Sequence, residues 1–182
     1  MSTVETVRHR AAICGYVSDA SSGAGIAGAT VELAAQGLQT QTRADGFYSF
    51  LDLPDGSYTL HAAAPQLGSC YGTVTVAGVS VASDGEGRPL LDPKGNLGLR
   101  PTRLSGLVQR SDNLAPIAYA DVFLRASNVK TKSNKVGQYV LSAVEAGTQT
   151  VQVSAPGFTT VSQSVSLNAG QNTAVDFKLT AS

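Results

Sequence analysis

The sequence predicts an all-β protein built as two tandem seven-stranded Greek-key β-sandwiches in a rod-like arrangement. Three observations carry this. The stretch 45–65, DGFYSFLDLPDGSYTLHAAAP, recurs ninety-one residues later as VGQYVLSAVEAGTQTVQVSAP, and self-similarity at a fixed spacing marks duplicated modules. Short runs rich in Val, Ile, Leu, Thr and Tyr alternate with period two between polar or Gly-rich turns, and no segment sustains a 3.6-residue period. Charged residues make up 14% of the chain and aromatics 6%, with no Trp, which suits thin β-modules whose cores are filled by small branched side chains.

The repeat holds an offset of 91 without a gap: Gly15 falls on Gly106, Val17 on Val108, Ile26-Ala27 on Ile117-Ala118, Val31 on Val122, Leu33 on Leu124, Gly46 on Gly137, Tyr48 on Tyr139, Gly56 on Gly147, Ala64-Pro65 on Ala155-Pro156 and Val74 on Val165. Strands are expected near 12–18, 29–35, 38–43, 47–51, 57–64, 70–76 and 96–99. In the second half they are expected near 103–109, 120–126, 129–133, 138–142, 148–155, 161–167 and 173–179. Asp45-Gly46 signals a tight turn, because Gly takes positive φ without steric cost. Pro54-Asp55-Gly56 signals the next reversal.

The halves end differently. Matching Leu97 and Leu99 to Phe177 and Leu179 needs an offset of 80, so the first half carries eleven extra residues (91 minus 80) within 82–95. The domains are therefore read as an N-terminal arm 1–10, a first sandwich 11–100 with loop insertion 82–95, and a second sandwich 101–182. Arg100-Pro101-Thr102 serves as a short, stiff linker, since Pro fixes φ.

The balanced formal charge and scattered Lys and Arg leave no electrostatic footprint for nucleic acid. No apolar run approaches the roughly 20 residues that span a bilayer. The N-terminus MSTVETVRHR leads into a strand and not a signal-peptide core, so a cytoplasmic location is expected, with incorporation into a particle or specialised export as the alternative. Cys14 and Cys70 are expected to face apart as free thiols, in keeping with a reducing compartment.

The pattern G-x-V, then I-A-x-A-x-V-x-L, then G-x-Y, G-x-[Y/Q]-T-[L/V] and A-P resembles the carboxypeptidase regulatory-like modules, of transthyretin-like (prealbumin-like) type. It is carried by Gly15, Val17, Ile26 to Leu33, Gly46 to Phe50, Gly56 to Leu60, Ala64-Pro65 and their partners in the second half. The resemblance implies an accessory, adhesive or structural module of a larger assembly; free-standing modules similar to these accompany contractile phage-tail-like injection machines. Gln149 departs from the pattern where Tyr58 keeps it, which predicts a looser core in the second half.

A catalytic centre is not expected. Hydroxyisourate hydrolases of similar fold need His and Arg on paired strands and a C-terminal Tyr-Arg-Gly-Ser, whereas this chain ends FKLTAS and holds only His9 and His61. General acid–base work needs a titratable group beside a second one, and His61 has the parity of surface residues. Two distant histidines with Cys14 and Cys70 lack zinc spacing. Asp84, Glu86 and Asp92 lack the regular oxygen ladder of a calcium loop. The first strands hold no Lys for an isopeptide crosslink, and neither a G-x-S-x-G elbow nor a phosphate-cradling loop occurs. No cofactor is expected.

What remains is recognition. Loops that lengthen on a repeated scaffold are common seats of specificity, so Asp84, Glu86, Arg88, Leu90, Leu91 and Asp92 are the first candidates for partner contact. Val4 and Val7 of the arm are added as a segment able to pair with a sheet edge. The primary reading is a non-catalytic adaptor for protein partners in a larger assembly; the alternatives are a glycan or cell-surface adhesion module and, last, a hydrolase.

Overall fold

A computed structural model describes residues 9–182, and the chain divides into two compact units. The first runs to Gln66 and resumes at Thr73–Leu99; the second comprises Leu67–Gly72 with Arg100–Ser182. Both are all-β, as the period-two pattern predicts.

The first unit contains β1 (Ala11–Asp19), β2 (Thr30–Leu33), β3 (Leu38–Gln41), β4 (Phe47–Leu51), β5 (Gly56–Ala63), β6 (Val74–Ser83), β7 (Pro89–Leu91) and β8 (Leu97–Leu99). Its sheets have the orders β4-β1-β8 and β3-β2-β5-β6-β7. Ile13, Val17, Tyr48, Leu97 and Leu99 from one sheet and Val31, Leu33, Leu60, Val79 and Val81 from the other are buried. The second unit contains β9 (Arg103–Arg110), β10 (Asp121–Leu124), β11 (Val129–Lys132), β12 (Gln138–Ser142), β13 (Gly147–Ser154), β14 (Val161–Leu167), β15 (Asn172–Ala174) and β16 (Phe177–Leu179). Here the orders are β12-β9-β15, with β16 also on β9, and β11-β10-β13-β14. Leu104, Val108, Tyr139 and Phe177 pack with Val122, Leu124, Val151 and Val165 in one core.

Among the described residues the count is eight strand segments per unit where seven were expected, for different reasons. In the second unit β15 and β16 are one parallel edge interrupted at Val175-Asp176. In the first, β7 is a strand within the stretch expected to be a loop.

One register differs from the gapless repeat. Tyr58 pairs with Val79 and its counterpart Gln149 with Val165, so Val79, and not Val74, matches Val165. The expected strand 70–76 is displaced to 74–83 because 67–72 folds with the second unit. Within β6 a bulge at Ala77-Gly78, with Gly78 at φ 71, moves the inward parity from Val74 and Val76 to Val79 and Val81. Nor are residues 100–102 a free spacer. Thr102 is fully buried; its N–H donates to the Cys70 carbonyl at 2.8 Å, and its hydroxyl donates to Ser69 O and accepts from Gly170 N, each at 2.9 Å.

The G-x-V and G-x-Y signatures have one physical origin. Gly15 lies opposite Tyr48 across β1 and β4, and Gly106 opposite Tyr139 across β9 and β12. Each tyrosine hydroxyl donates to a carbonyl on the closing segment, Tyr48 to Gly95 at 2.6 Å and Tyr139 to Val175 at 2.7 Å. A Cβ on Gly15 or Gly106 would lie 2.2 or 1.9 Å from that same oxygen, so only glycine admits the crossing. Burial pushes both phenols well above the ordinary tyrosine range, with lesser contributions from Cys14 beside Tyr48 and Asp176 beside Tyr139.

Candidate interaction surface

The stretch 82–95 is a hairpin built on the edge of the five-stranded sheet. β7 pairs antiparallel with the end of β6, Val81 with Leu91 and Ser83 with Pro89. Its turn is held from within. Asp84 N–H donates to Arg88 O at 2.9 Å, and the Asp84 carboxylate accepts from the backbone of Glu86 at 2.9 Å and of Arg88 at 2.8 Å. Arg88 Nε reaches Asp84 at 2.8 Å while the guanidinium meets Glu86 at 2.9 Å. The Arg88 side-chain hydrogen bond, ahead of the backbone donors, holds the Asp84 carboxyl below its ordinary value.

Asp92 closes the base of the hairpin, accepting from Ser80 N at 2.8 Å and Lys94 N at 2.9 Å. Those donors lower its pKa, Ser80 foremost. Lys94 Nζ then donates to Gly78 O at 3.0 Å, tying the turn to the β6 bulge. Against this fixed frame Leu90 and Leu91 stand 53% and 52% exposed. Two consecutive apolar side chains thus stand in water, one on each face of a strand that is outermost in its sheet.

Of the other predicted contacts, Val4 and Val7 lie outside the described residues. The end of the arm is pinned: Arg10 N donates to Asp52 Oδ1 at 2.7 Å and its guanidinium pairs with Asp55 at 3.1 Å. Arg10 also donates to Ser83 Oγ at the root of the hairpin. His9 meets Asp52 at 2.5 Å. His61 faces Thr75 Oγ1 at 3.0 Å on the exposed side of β5, with Glu32 as its cross-strand neighbour on β2; no hydrogen bond or ion pair links the two. Cys14 and Cys70 are free thiols. Among the described residues no group of three or more His, Cys, Asp or Glu could hold a metal ion, and no helix is long and apolar enough to cross a membrane.

Two features escaped the sequence reading. On the outer face of β1 and β4, Tyr16 meets Phe47 edge-on at 5.5 Å with the Arg43 guanidinium 5.3 Å from the Phe47 ring centre. In the second unit Leu114, Tyr119 and Val136 are 51%, 55% and 56% exposed. The signal for the latter was present: at the offset of 91 they replace Gly23, Gly28 and Asp45.

Residues 12–89 and 103–180 each match the carboxypeptidase regulatory-like domain. The chain belongs to that family, as two tandem copies. No curated protein matches it. Among solved structures it is similar to the shaft pilin SpaA from Lactobacillus rhamnosus GG, at 8% identity over 97% of this chain and 98% of that one, with a TM-score of 0.44. It is also similar to a minor pilin of Streptococcus agalactiae, at 11% identity over 93% and 95% of the two chains and a TM-score of 0.38. Against the Bacillus anthracis TIE protein the identity is 12% and the TM-score 0.41; 94% of this chain is covered, but only 34% of that protein's length.

Proposed function

We propose that the chain is a non-catalytic structural and interaction module, an adaptor that binds a protein partner of a larger assembly through the β7 hairpin. The observation that carries this is the pair Leu90 and Leu91, each more than half exposed, on a hairpin braced by the Asp84–Arg88–Glu86 ion pairs. The second unit has no counterpart to it. Open sheet edges offer further places for strand pairing, and Val4 and Val7 of the arm are further candidate contacts.

The first assembly to examine is a contractile, phage-tail-like injection machine, the association implied by the family resemblance. Affinity purification of the tagged chain, followed by mass spectrometry, is expected to recover sheath, tube, baseplate or envelope proteins, and deletion of residues 1–10 and 82–95 is expected to release them. Retention of every partner by the deletion variant overturns the assignment of these surfaces.

A second reading has its own observation. The Tyr16–Phe47 pair on an exposed sheet face offers ring faces for stacking against sugars. A glycan array is expected to show binding that Tyr16→Ala removes; a blank array excludes it.

A further inference from the structure

The five most exposed large apolar side chains among the described residues, Val136, Tyr119, Leu90, Leu91 and Leu114, fall in two places. Two are on the β7 hairpin. The other three are in adjoining loops of the second unit, β9–β10 and β11–β12. Those loops are joined: Tyr119 N donates to Ser133 O at 3.0 Å, and a Cβ on Gly137 would lie 2.9 Å from Pro116 Cβ. Gln109 Nε2 holds Leu114 O at 3.1 Å.

Leu114 and Tyr119 sit in the left-handed region, at φ 57 and φ 60, where the first unit has Gly23 at φ 76 and Gly28 at φ 69. The loop shape is thus common to both units, and glycine is the residue that takes it without strain. The second unit nevertheless places a leucine and a tyrosine there, both half in water. Burial does not explain them, because they are exposed; local conformation opposes them. Strain kept for exposed apolar side chains points to a binding role.

Charge identifies the occupant. Residues 1–99 carry five Lys or Arg against nine Asp or Glu, and residues 100–182 carry eight against four, giving formal charges of −4 and +4 within a neutral chain. On β11 and the turn that follows, next to Val136, run Lys130, Lys132 and Lys135; among the described residues only Lys132 of these has an ion-pair partner, Asp121 at 2.8 Å. Beside Leu90 and Leu91 stand Asp84 and Glu86, which share one counter-ion, Arg88, so a net negative charge is left on the turn. We propose that Leu114, Tyr119 and Val136 form a docking surface for the β7 hairpin of a second copy of this chain, so that copies join head to tail. Such a contact uses two different surfaces, and repeats into a ring or an open filament. It rests on the reading of the hairpin as a contact surface and adds to it the surface that receives it.

Sedimentation velocity on the full chain tests this, over a concentration series at low and high salt. Association is expected to rise with concentration and to weaken with salt, because opposite surface charges are screened. Leu114→Gly with Tyr119→Gly is expected to weaken it at least tenfold while leaving the melting midpoint unchanged or raised, since the strain is relieved. A fold-damaging variant would lower both. Lys135→Glu is expected to weaken association, and Glu86→Lys in the same chain to restore part of it. A chain that stays monomeric at every concentration, or association untouched by the double glycine variant, overturns the proposal. Neither result bears on capture of other proteins, which the joint deletion of 1–10 and 82–95 reads separately.

Discussion

The same sheet edge is finished in two ways in the two units. In the first, β6 continues through a bulge to Ser83 and is capped by β7; in the second, β14 stops at Leu167 and remains the outermost strand. The bare edge is polar, since β14 reads Val-Ser-Gln-Ser-Val-Ser-Leu, whereas the capped one ends in a short strand begun by Pro89 and displaying two leucines. A polar edge deters unplanned strand pairing. The added hairpin turns the corresponding edge into a shaped apolar surface. The duplicated core thus tolerates divergence at its margin, and function is sought where the copies differ.

The copies should respond alike where they share a device. Tyr48 and Tyr139 are 1% and 2% exposed, so Tyr48→Ala and Tyr139→Ala should each cost their own unit about 3–5 kcal/mol, read by urea unfolding with hydrogen exchange to tell the units apart. A loss confined to one unit would break the equivalence. The raised phenol pKa values add a pH test. Neutral tyrosine is favoured in the fold, so its contribution is complete below the unfolded value near 10 and is lost as pH rises through the higher folded value. Alkaline destabilisation is expected above about pH 10, and Tyr48→Phe should reduce it in the first unit alone.

Gly46→Val and Gly137→Val come next. Positive φ costs a branched residue about 1–2 kcal/mol, and the new Cβ would also lie 2.5 Å from Val17 O or 2.7 Å from Val108 O. Destabilisation of both, by thermal melting, is expected; two variants as stable as the parent would place the turn elsewhere.

Gln149 sharpens the comparison with the opposite sign. Tyr58 donates its hydroxyl to Pro54 O at 2.8 Å, and Gln149 reproduces that link through Nε2 to Glu145 O at 3.2 Å. Its Oε1, however, is buried without a partner, a polar cost in the core that Tyr58 does not carry. Gln149→Tyr should stabilise the second unit by about 1–2 kcal/mol by removing the orphaned acceptor, measured as a raised urea midpoint. An unchanged or lowered midpoint would show that the glutamine is better accommodated than its orphaned oxygen indicates.

The repeat and its period-two pattern were enough to read the all-β class, the duplication and most strand positions, because each follows from local alternation and turn chemistry. The β6 register was not legible: a bulge at Gly78 reverses parity without any break in the run of valines. Nor was the buried hydroxyl that binds each unit's first loop, β1–β2 or β9–β10. Thr42 Oγ1 donates to Ile26 O at 2.5 Å and accepts from Ala29 N at 2.8 Å, and Ser133 does the same for Ile117 and Ala120 at 2.7 and 2.9 Å. A lone Thr or Ser after a strand looks like any turn residue. For the candidate site, sequence length located the insertion and named Leu90 and Leu91, but strand pairing, not composition, turns that stretch from loop to edge strand.

The smallest effect concerns the hairpin's carboxylates. Asp84 and Asp92 are held below the ordinary aspartate value by donors that favour the charged form. The folded value being the lower, their contribution is present above about pH 4, the unfolded value, and is lost as pH falls through the folded one. Both groups are in contact with solvent, which limits the gain, and global stability should scarcely register it. The local signature is sharper: the amide proton shifts of Glu86 and Arg88, which donate to Asp84, should titrate together with a midpoint below the ordinary aspartate value in the parent and not at all in Asp84→Asn. A midpoint at the ordinary aspartate value would mean that the turn is open in solution. Leu90 and Leu91 would then lack the fixed frame that distinguishes this edge from its bare counterpart on β14.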